Sequence, residues 1–303
     1  MFDLIGDIHG YAHKLEILLK KLGYKKKDNS FSHPSRKVLF LGDYIDRGPQ
    51  IPKVLSIIKA MVDRGDAVAL MGNHEYNAIC FNCEKKNGGY LRRHSIKNIL
   101  QHYDTLKQFT NQQTLYDDYV NWFKTLPLYH ESENFRAVHA CWDINHIDLL
   151  RSKLENDRFN DELIRKSVMA GTPLNEAVEI ILKGKELRLP DDLEFYDKDG
   201  VRRKRMRIKW WVDPSRVNYK EISVEQIDSL PDVPVDISEL NNSDYYPPDE
   251  KPVFFGHYWM KKADVLIGKN ICCLDYSVAK EGHLVAYRFD GEIELEKKKL
   301  IFV

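Results

Sequence analysis

Three short apolar segments in the first quarter of the chain end in the same way. Each is followed by glycine and then by aspartate or asparagine, and the segments are Phe2–Ile5, Val38–Leu41 and Ala67–Met71. Apolar runs of this length, bounded by glycine, are typical of strands buried in a sheet. The pattern therefore predicts three neighbouring strands that each end in a polar side chain.

The segments between these strands have helical periodicity. Apolar residues recur at helical spacing over residues 15–22, and Gly23 is suited to end that helix. A second helix is expected near Pro52, because proline is favourable in a first turn. Strands that alternate with helices predict an α/β fold with a largely parallel sheet and right-handed crossovers.

The remaining chain predicts further helices and strands. We expect one domain over residues 1–303, in which central β-sheets are flanked by helices, with helical or charged insertions at about 76–130 and 145–205. The predicted later strands are Arg136–His139, which would return to the sheet, then Lys209–Val212, Val253–Phe255 and short strands past Ile271.

Polar side chains should meet at one edge of the predicted sheet. The carboxyl ends of parallel strands lie side by side, and ligands bind there in open α/β folds. Glycine at each strand end allows the sharp turn that this arrangement needs. The side chains gathered at this edge would be Asp7, His9, Asp43, Asp46, Arg47, Asn73 and His74, with His139 and His257 from two later strand ends.

These residue types predict a metal centre. Carboxylate, imidazole and amide donors together suit divalent ions such as Mn²⁺, Fe²⁺ or Zn²⁺. A single aspartate can bridge two ions about 3.5–4 Å apart, the separation typical of two-metal hydrolases. An isolated aspartate at a strand end is more often a turn or cap residue, but three such ends with interleaved histidines favour the metal site.

The motifs resemble those of the calcineurin-like metallophosphoesterases, and within them the phosphoprotein phosphatase branch. That branch joins serine/threonine protein phosphatases to bacterial diadenosine tetraphosphatases. Its marks are Gly-Asp-x-His-Gly, Gly-Asp-x-x-Asp-Arg-Gly and Gly-Asn-His-Glu, and here they stand at residues 6–10, 42–48 and 72–75. Later segments at residues 138–139, 211–214, 256–257 and 274–286 are similar to downstream blocks of the family.

The resemblance implies two divalent metal ions, with Mn²⁺ expected and iron or zinc as alternatives. Asp7, His9 and Asp43 would hold the first ion. The second ion would be held by Asp43, Asn73, His139 and His257, so that Asp43 is the bridge. A hydroxide between the ions would attack phosphorus, because metal-bound water loses its proton near neutral pH.

The resemblance also implies three catalytic residues. Arg47 would grip the phosphate oxygens. His74 would protonate the leaving oxygen as general acid, and Asp46 would orient that imidazole. An aspartate paired with a histidine is also the usual way to keep an imidazolium available, so the residue types support the same roles.

Two departures from the family pattern leave the substrate open. His139 is followed by Ala140-Cys141, where the family usually has two glycines, and no Arg-Gly pair follows Pro214 to supply a second phosphate-clamping arginine. Our leading interpretation is a phosphatase for phosphate monoesters, on phosphoprotein or small substrates. A nucleoside polyphosphate hydrolase, such as a diadenosine tetraphosphatase, is the alternative. A catalytically inactive metal-binding protein fits less well, because it would not need His74, Asp46 and Arg47.

Composition limits the kinds of partner and the cellular compartment that we expect. Lysine plus arginine equals aspartate plus glutamate, at 46 residues each, so no overall charge attracts nucleic acid or membrane. No apolar run approaches the ~18 residues of a membrane span, and the N-terminus has no signal-peptide pattern. Five cysteines, an odd number, fit a reducing compartment, so we expect a cytoplasmic protein with free thiols.

We expect structural roles for two other features, the basic run and a set of other histidines. The basic run Arg202–Lys209 could attract an anionic substrate or nucleic acid, but we expect a solvated face. Six other histidines are expected to be surface or packing residues: His13, His94, His102, His130, His146 and His283.

Overall fold

The computed structural model describes residues 1–190, 194–196, 202–239, 245–261 and 266–303, so part of the predicted insertion at 145–205 lies outside the described residues. The strands are β1 Phe2–Ile5, β2 Lys25–Lys27, β3 Ser30–Ser32, β4 Lys37–Phe40, β5 Ala67–Ala69, β6 Tyr129–Glu131, β7 Arg136–Val138, β8 Glu186–Arg188, β9 Phe195–Tyr196, β10 Arg202–Arg203, β11 Arg205–Arg207, β12 Val253–Phe255, β13 Ile271–Cys273, β14 Asp275–Tyr276, β15 His283–Phe289 and β16 Leu300–Phe302. The α-helices are α1 Ala12–Lys21, α2 Ile51–Asp63, α3 Asn73–Asn82, α4 Ile96–Gln108, α5 Gln113–Phe123, α6 Ile144–Lys153, α7 Asp161–Ser167, α8 Pro173–Lys183 and α9 Tyr219–Ile222.

The first sheet contains the three strands predicted from the start of the chain. Its order is β14-β15-β1-β4-β5, with β16 paired to β15. Strands β1, β4 and β5 are parallel to one another, whereas β15 is antiparallel to β1. The strand–helix alternation and the α/β class are thus confirmed, and the C-terminal strands complete the sheet on its other side.

Strand β7 does not return to the first sheet. It lies in a second sheet of order β13-β12-β7-β6, where β7, β12 and β13 are parallel. The prediction that this strand returns to the first sheet was wrong, because an apolar pattern shows that a strand is buried but does not identify its neighbours.

The two sheets pack face to face through alternate residues of their strands. Leu4 and Leu39 from the first sheet share one apolar cluster with Ala137 and Phe254 from the second. The Phe254 and Tyr287 rings, one from each sheet, have centroids 5.1 Å apart. Side chains on the other faces belong to a second cluster, packed with α1 and α2 on one side and with α6 and α8 on the other.

The predicted strand Lys209–Val212 is a turn. The Val212 amide donates to the Lys209 carbonyl at 3.0 Å. Trp210 is buried, and its indole N–H donates to the Ala140 carbonyl at 2.9 Å. The aromatic pattern therefore reflects a side chain that anchors a turn on the second sheet, rather than strand pairing. None of the described helices combines the length and the apolar character needed to span a bilayer.

A buried ion pair joins strands β1, β4 and β15 at the far end of the first sheet. Asp3 on β1 is fully buried, and its carboxylate accepts from Arg36 Nε at 3.0 Å and Arg288 Nε at 3.2 Å. The Tyr24 hydroxyl donates to the same carboxylate at 3.0 Å. Removing one partner of a buried charge is costly, because the remaining charge has no solvent to compensate it.

We therefore expect Arg36→Met to lower the free energy of unfolding by about 3 kcal/mol. The matched control is Arg216→Met, since Arg216 pairs with Asp213 at 3.1 Å but is largely exposed. Exposed pairs contribute about 0–1 kcal/mol. Urea unfolding followed by circular dichroism measures both variants, and equal losses would contradict a special role for the Asp3 cluster.

Candidate metal centre

The carboxyl ends of the parallel strands from both sheets meet at one place. The ring Nδ1 of His139, which follows β7, lies 2.8 Å from the Leu41 carbonyl, which follows β4. The His257 amide, which follows β12, donates to the Asp7 carboxylate at 3.2 Å. Strand ends that are far apart in sequence are thereby held side by side.

Potential ligand atoms form two groups that share Asp43. Among the described residues, ligand atoms within 4.8 Å of one another come from His9, Asp43 and His74 in one group and from Asp43, His139 and His257 in the other. His9 Nε2 lies 3.7 Å from one Asp43 carboxylate oxygen, and His139 Nε2 lies 3.4 Å from the other. Asp43 thus faces both groups, as a bridging ligand must.

The amide oxygen of Asn73 lies in the second group. Asn73 Oδ1 is 3.0 Å from His139 Nε2 and 2.8 Å from His257 Nδ1. Backbone carbonyls fix two of the rings, because His139 Nδ1 faces Leu41 and His9 Nδ1 lies 2.9 Å from the Ile45 carbonyl. Each of these two rings can therefore present its Nε2 as a ligand, in the manner usual for metal-binding histidines.

Asp7 is adjacent to the two groups but belongs to neither. It is buried, and burial together with the charges of Asp275 and Asp43 raises its pKa well above the ordinary value. Burial alone would also raise the pKa of Asp43, but the charges of His139, His74 and His9 lower it instead. Buried carboxylates that repel each other in this way gain from a cation placed between them. The donor set and the electrostatics both fit divalent metal ions.

His74 and Asp46 form an ion pair at the edge of the centre. His74 Nδ1 lies 2.5 Å from Asp46 Oδ2, while its Nε2 is 3.8 Å from Asp43. Burial alone would lower the pKa of His74, but the charge of Asp43 and the hydrogen bond that His74 donates to Asp46 outweigh it and raise the pKa to about 9. The neighbouring carboxylates therefore favour the protonated form of His74.

His102 belongs to the same cluster, although it was predicted to be a surface or packing residue. His102 Nδ1 lies 2.8 Å from Asp46 Oδ1, and Thr105 Oγ1 donates to that oxygen at 2.5 Å. The other ring nitrogen lies 2.7 Å from the Tyr116 hydroxyl. No sequence motif marks this histidine. Only the packing of α4 against the β4 loop brings it to Asp46.

Arg47 is exposed at the mouth of the centre, next to the Asp46 turn. Its guanidinium lies over the ring of Trp259, 5.2 Å from the centroid. An arginine held by an aromatic face keeps its hydrogen-bond donors available to an incoming anion.

The cysteines do not contribute to this centre. All five are free thiols, as expected, and burial raises the pKa of Cys80 to about 12. A thiol with such a pKa is a poor metal ligand and a poor nucleophile at neutral pH.

Comparison with known proteins identifies the family. The sequence profile of the calcineurin-like phosphoesterases matches residues 1–221, and the chain belongs to that family. The resemblance predicted from the three motifs is confirmed.

Its curated relatives include asymmetrical bis(5′-nucleosyl)-tetraphosphatases PrpE. The protein from Oceanobacillus iheyensis is 30% identical over 46% of this chain and 54% of its own length. The one from Geobacillus thermodenitrificans is 30% identical over 57% of this chain and 70% of its own length. The chain spans between about half and 70% of the length of these relatives.

Solved structures with the same fold include two phosphatases. A serine/threonine phosphatase from Saccharomyces cerevisiae has a TM-score of 0.51 at 13% identity, covering 100% of this chain and 78% of that one. A cold-active protein tyrosine phosphatase has a TM-score of 0.50 at 19% identity, covering 95% of this chain and 73% of that one. At these identities the likeness concerns the fold alone.

The geometry predicts that the protein binds two Mn²⁺ ions per chain after metal stripping and reconstitution. Asp43→Asn should lower the stoichiometry, because it removes the anionic ligand shared by both groups. Asp46→Asn is the matched control and should retain two ions, since its carboxylate faces His74 and His102 instead. Metal analysis after gel filtration measures both variants. A wild-type stoichiometry of one ion would contradict the bridging position of Asp43.

Proposed function

We propose that the protein is a metal-dependent phosphoesterase that hydrolyses phosphate monoesters, on a phosphoprotein or a small phosphorylated substrate. Two divalent metal ions, with Mn²⁺ as the leading candidate, would be held by Asp7, His9 and Asp43 and by Asp43, Asn73, His139 and His257. When bound, such ions supply a hydroxide nucleophile near neutral pH and neutralise charge on the phosphate.

The observation that carries the proposal is the His74–Asp46 pair beside the candidate metal centre. A protonated imidazole at this place can give its proton to the leaving oxygen, so that an alkoxide need not leave as an anion. Asp46 holds the ring through Nδ1 and leaves Nε2 directed toward the centre, 3.8 Å from Asp43. A protein that only bound metal would have no use for such an arrangement.

Arg47 would bind the substrate phosphate at the mouth of the centre. A guanidinium can donate two parallel hydrogen bonds to phosphate oxygens and stabilises the charge that develops on them. Its position beside Trp259 keeps it at the entrance, where the phosphate must pass.

Nucleoside polyphosphate hydrolysis is the second candidate. It is favoured by the names of the PrpE relatives and by the cleft next to the centre, which is large and lined by several cationic side chains. The same acid, arginine and metal groups would serve either reaction, because both break a phosphorus–oxygen bond.

The role of His74 predicts a defect that depends on the leaving group. His74→Asn should reduce kcat by about 10²–10⁴-fold on a phosphoserine peptide or phenyl phosphate, whose leaving groups need a proton. The loss on p-nitrophenyl phosphate should be much smaller, because p-nitrophenolate leaves readily without one. Steady-state kinetics with Mn²⁺ measures these rates.

The matched control is His13→Asn, which changes an exposed histidine on α1 and should leave every rate unchanged. Equal defects of His74→Asn on good and poor leaving groups would show that His74 is not the acid.

His102 should act through Asp46 as a positioning residue. His102→Ala removes one of the groups that hold the Asp46 carboxylate, so His74 should be less well oriented. We expect about a tenfold loss of kcat on poor leaving groups and little loss on p-nitrophenyl phosphate, with two metal ions retained. Loss of metal, or a uniform loss on all substrates, would indicate a purely structural role.

A substrate panel separates the two candidate functions. Wild-type protein with Mn²⁺ is assayed on a phosphopeptide, small phosphate monoesters and dinucleoside polyphosphates, and the highest kcat/KM identifies the preferred class. Inactivity on all of them in protein that retains two metal ions would overturn the proposed function.

A further inference from the structure

A cleft extends outward from the candidate metal centre. It has a volume of about 1490 Å³ and is lined at its inner end by Asp43, Asn73, His74 and His257. Pockets for small ligands are typically about 300–1,000 Å³. The cleft therefore has room for much more than the phosphate group that would be cleaved.

One wall of this cleft is strongly basic. Among the described residues between 183 and 226, those that line it include the cationic side chains of Lys183, Arg203, Arg207, Lys209 and Lys220 and one acidic side chain, that of Glu225. A concave surface lined by one sign of charge concentrates the field and attracts the opposite charge. This wall is therefore suited to an anionic group that lies beyond the metal centre.

Arg207 packs in this wall beside Tyr258, the residue that follows the candidate ligand His257. Its Cδ atom lies 3.5 Å from the point that a Cβ on Gly184 would take, and the Tyr258 hydroxyl lies 2.3 Å from the same point. Arg207 and Tyr258 thus occupy the space that the missing side chain leaves free. Tyr258 follows His257 directly, and both residues line the same cleft as Arg207.

The Arg207 guanidinium has an unused donor. Its Nε is buried and has no hydrogen-bond partner among the described residues. A buried polar group without a partner is unfavourable, so a ligand that supplies an acceptor would gain from it. Lys209 donates to the Glu221 backbone carbonyl, an acceptor without a full negative charge, and so keeps its own charge for the cleft.

Neighbouring arginines of the same hairpins differ from Arg207. Arg202 is exposed and pairs with Glu194, and Arg205 is exposed and lies 3.9 Å from Glu186. Neither lines the cleft. The prediction that the basic run is a solvated face therefore holds for Arg202 and Arg205. Arg203 and Arg207, by contrast, line the cleft.

We propose that Arg207, with Arg203 and Lys209, forms a second anion-binding subsite that holds a phosphate group of the substrate beyond the one that is cleaved. This inference rests on the proposed phosphoesterase function, and of its two candidate substrate classes it favours substrates that carry more than one phosphate group. The guanidinium of Arg207 is suited to bind such a group through paired N–H donors.

The test compares binding of a one-phosphate and a three-phosphate ligand by calorimetry, at fixed free Mn²⁺ with metal-loaded protein. Orthophosphate is the first ligand, and a triphosphate analogue with methylene bridges, which is not hydrolysed, is the second. Wild-type protein should bind the analogue at least about tenfold more tightly than orthophosphate. Arg207→Met should weaken analogue binding about tenfold and change orthophosphate binding less than about twofold.

Two further variants define the subsite. Arg207→Lys keeps the charge but not the paired donors, so it should recover part of the affinity and also shows that the site folds. Arg205→Met, on the same strand, should change neither affinity. The difference between the two ligands should shrink as salt is added, because screening weakens exposed charges.

Other outcomes would overturn the subsite. If Arg207→Met loses the same affinity for both ligands, Arg207 contacts the phosphate that is cleaved. If Arg205→Met loses as much affinity for the analogue as Arg207→Met does, the attraction comes from the overall positive charge and not from a specific subsite. If wild-type protein binds orthophosphate but Arg207→Met loses no affinity for the analogue, the subsite is refuted and the proposed function stands. If wild-type protein binds neither ligand, the proposed function fails together with the subsite.

Discussion

The arrangement of the candidate centre depends on one buried carboxylate, Glu75. It is fully buried at the start of α3 and accepts hydrogen bonds from the amides of Gly72, Asp43 and Tyr44 at 2.8–3.0 Å. These amides belong to the loops after β4 and β5, so Glu75 ties two strand ends together. The approach is so close that a Cβ on Gly72 would lie 2.3 Å from the Asp43 amide nitrogen. Glycine is therefore required there, and Asp43 is held rigidly between the two ligand groups.

Two buried aspartates only three residues apart carry different tasks because their neighbours differ. Asp43 is surrounded by imidazoles, and His9 and His139 each place Nε2 within 3.4–3.7 Å of one of its carboxylate oxygens. Asp46 is bonded directly to His74, His102 and Thr105, so that both of its carboxylate oxygens already have partners. The first environment suits a shared cation, and the second favours the protonated form of a histidine. The close turn between them places metal ligands and the proposed acid within reach of one phosphate.

The pattern of strand ends was sufficient to predict much of this arrangement. A glycine followed by a polar residue after each of three apolar runs indicates strand ends at one edge of a sheet, because glycine permits the sharp turn that a strand makes there. The α/β class, the parallel pairing of β1, β4 and β5 and the family resemblance followed from these local signals and are confirmed. The placement of His139 and His257 beside Asn73 agrees with their proposed role as ligands. The pairing partners of β7 and the turn at Trp210 could not be predicted in the same way. A run of apolar residues shows that a segment is buried, but it does not show which sheet the segment joins or whether it is a strand at all.

The sequence by itself determined which chemistry-bearing residues follow buried strands, since glycine and charge at a strand end are local features. Only the tertiary structure decided which distant residues join them. His102 meets Asp46 because α4 packs on the β4 loop, and Arg207 faces the cleft because a hairpin folds back against Gly184 and Tyr258. Such contacts arise between segments separated by tens of residues, and no local pattern records them. These contacts depend on how helices and hairpins pack around the centre, whereas the candidate metal ligands lie at strand ends that the sequence pattern already identifies.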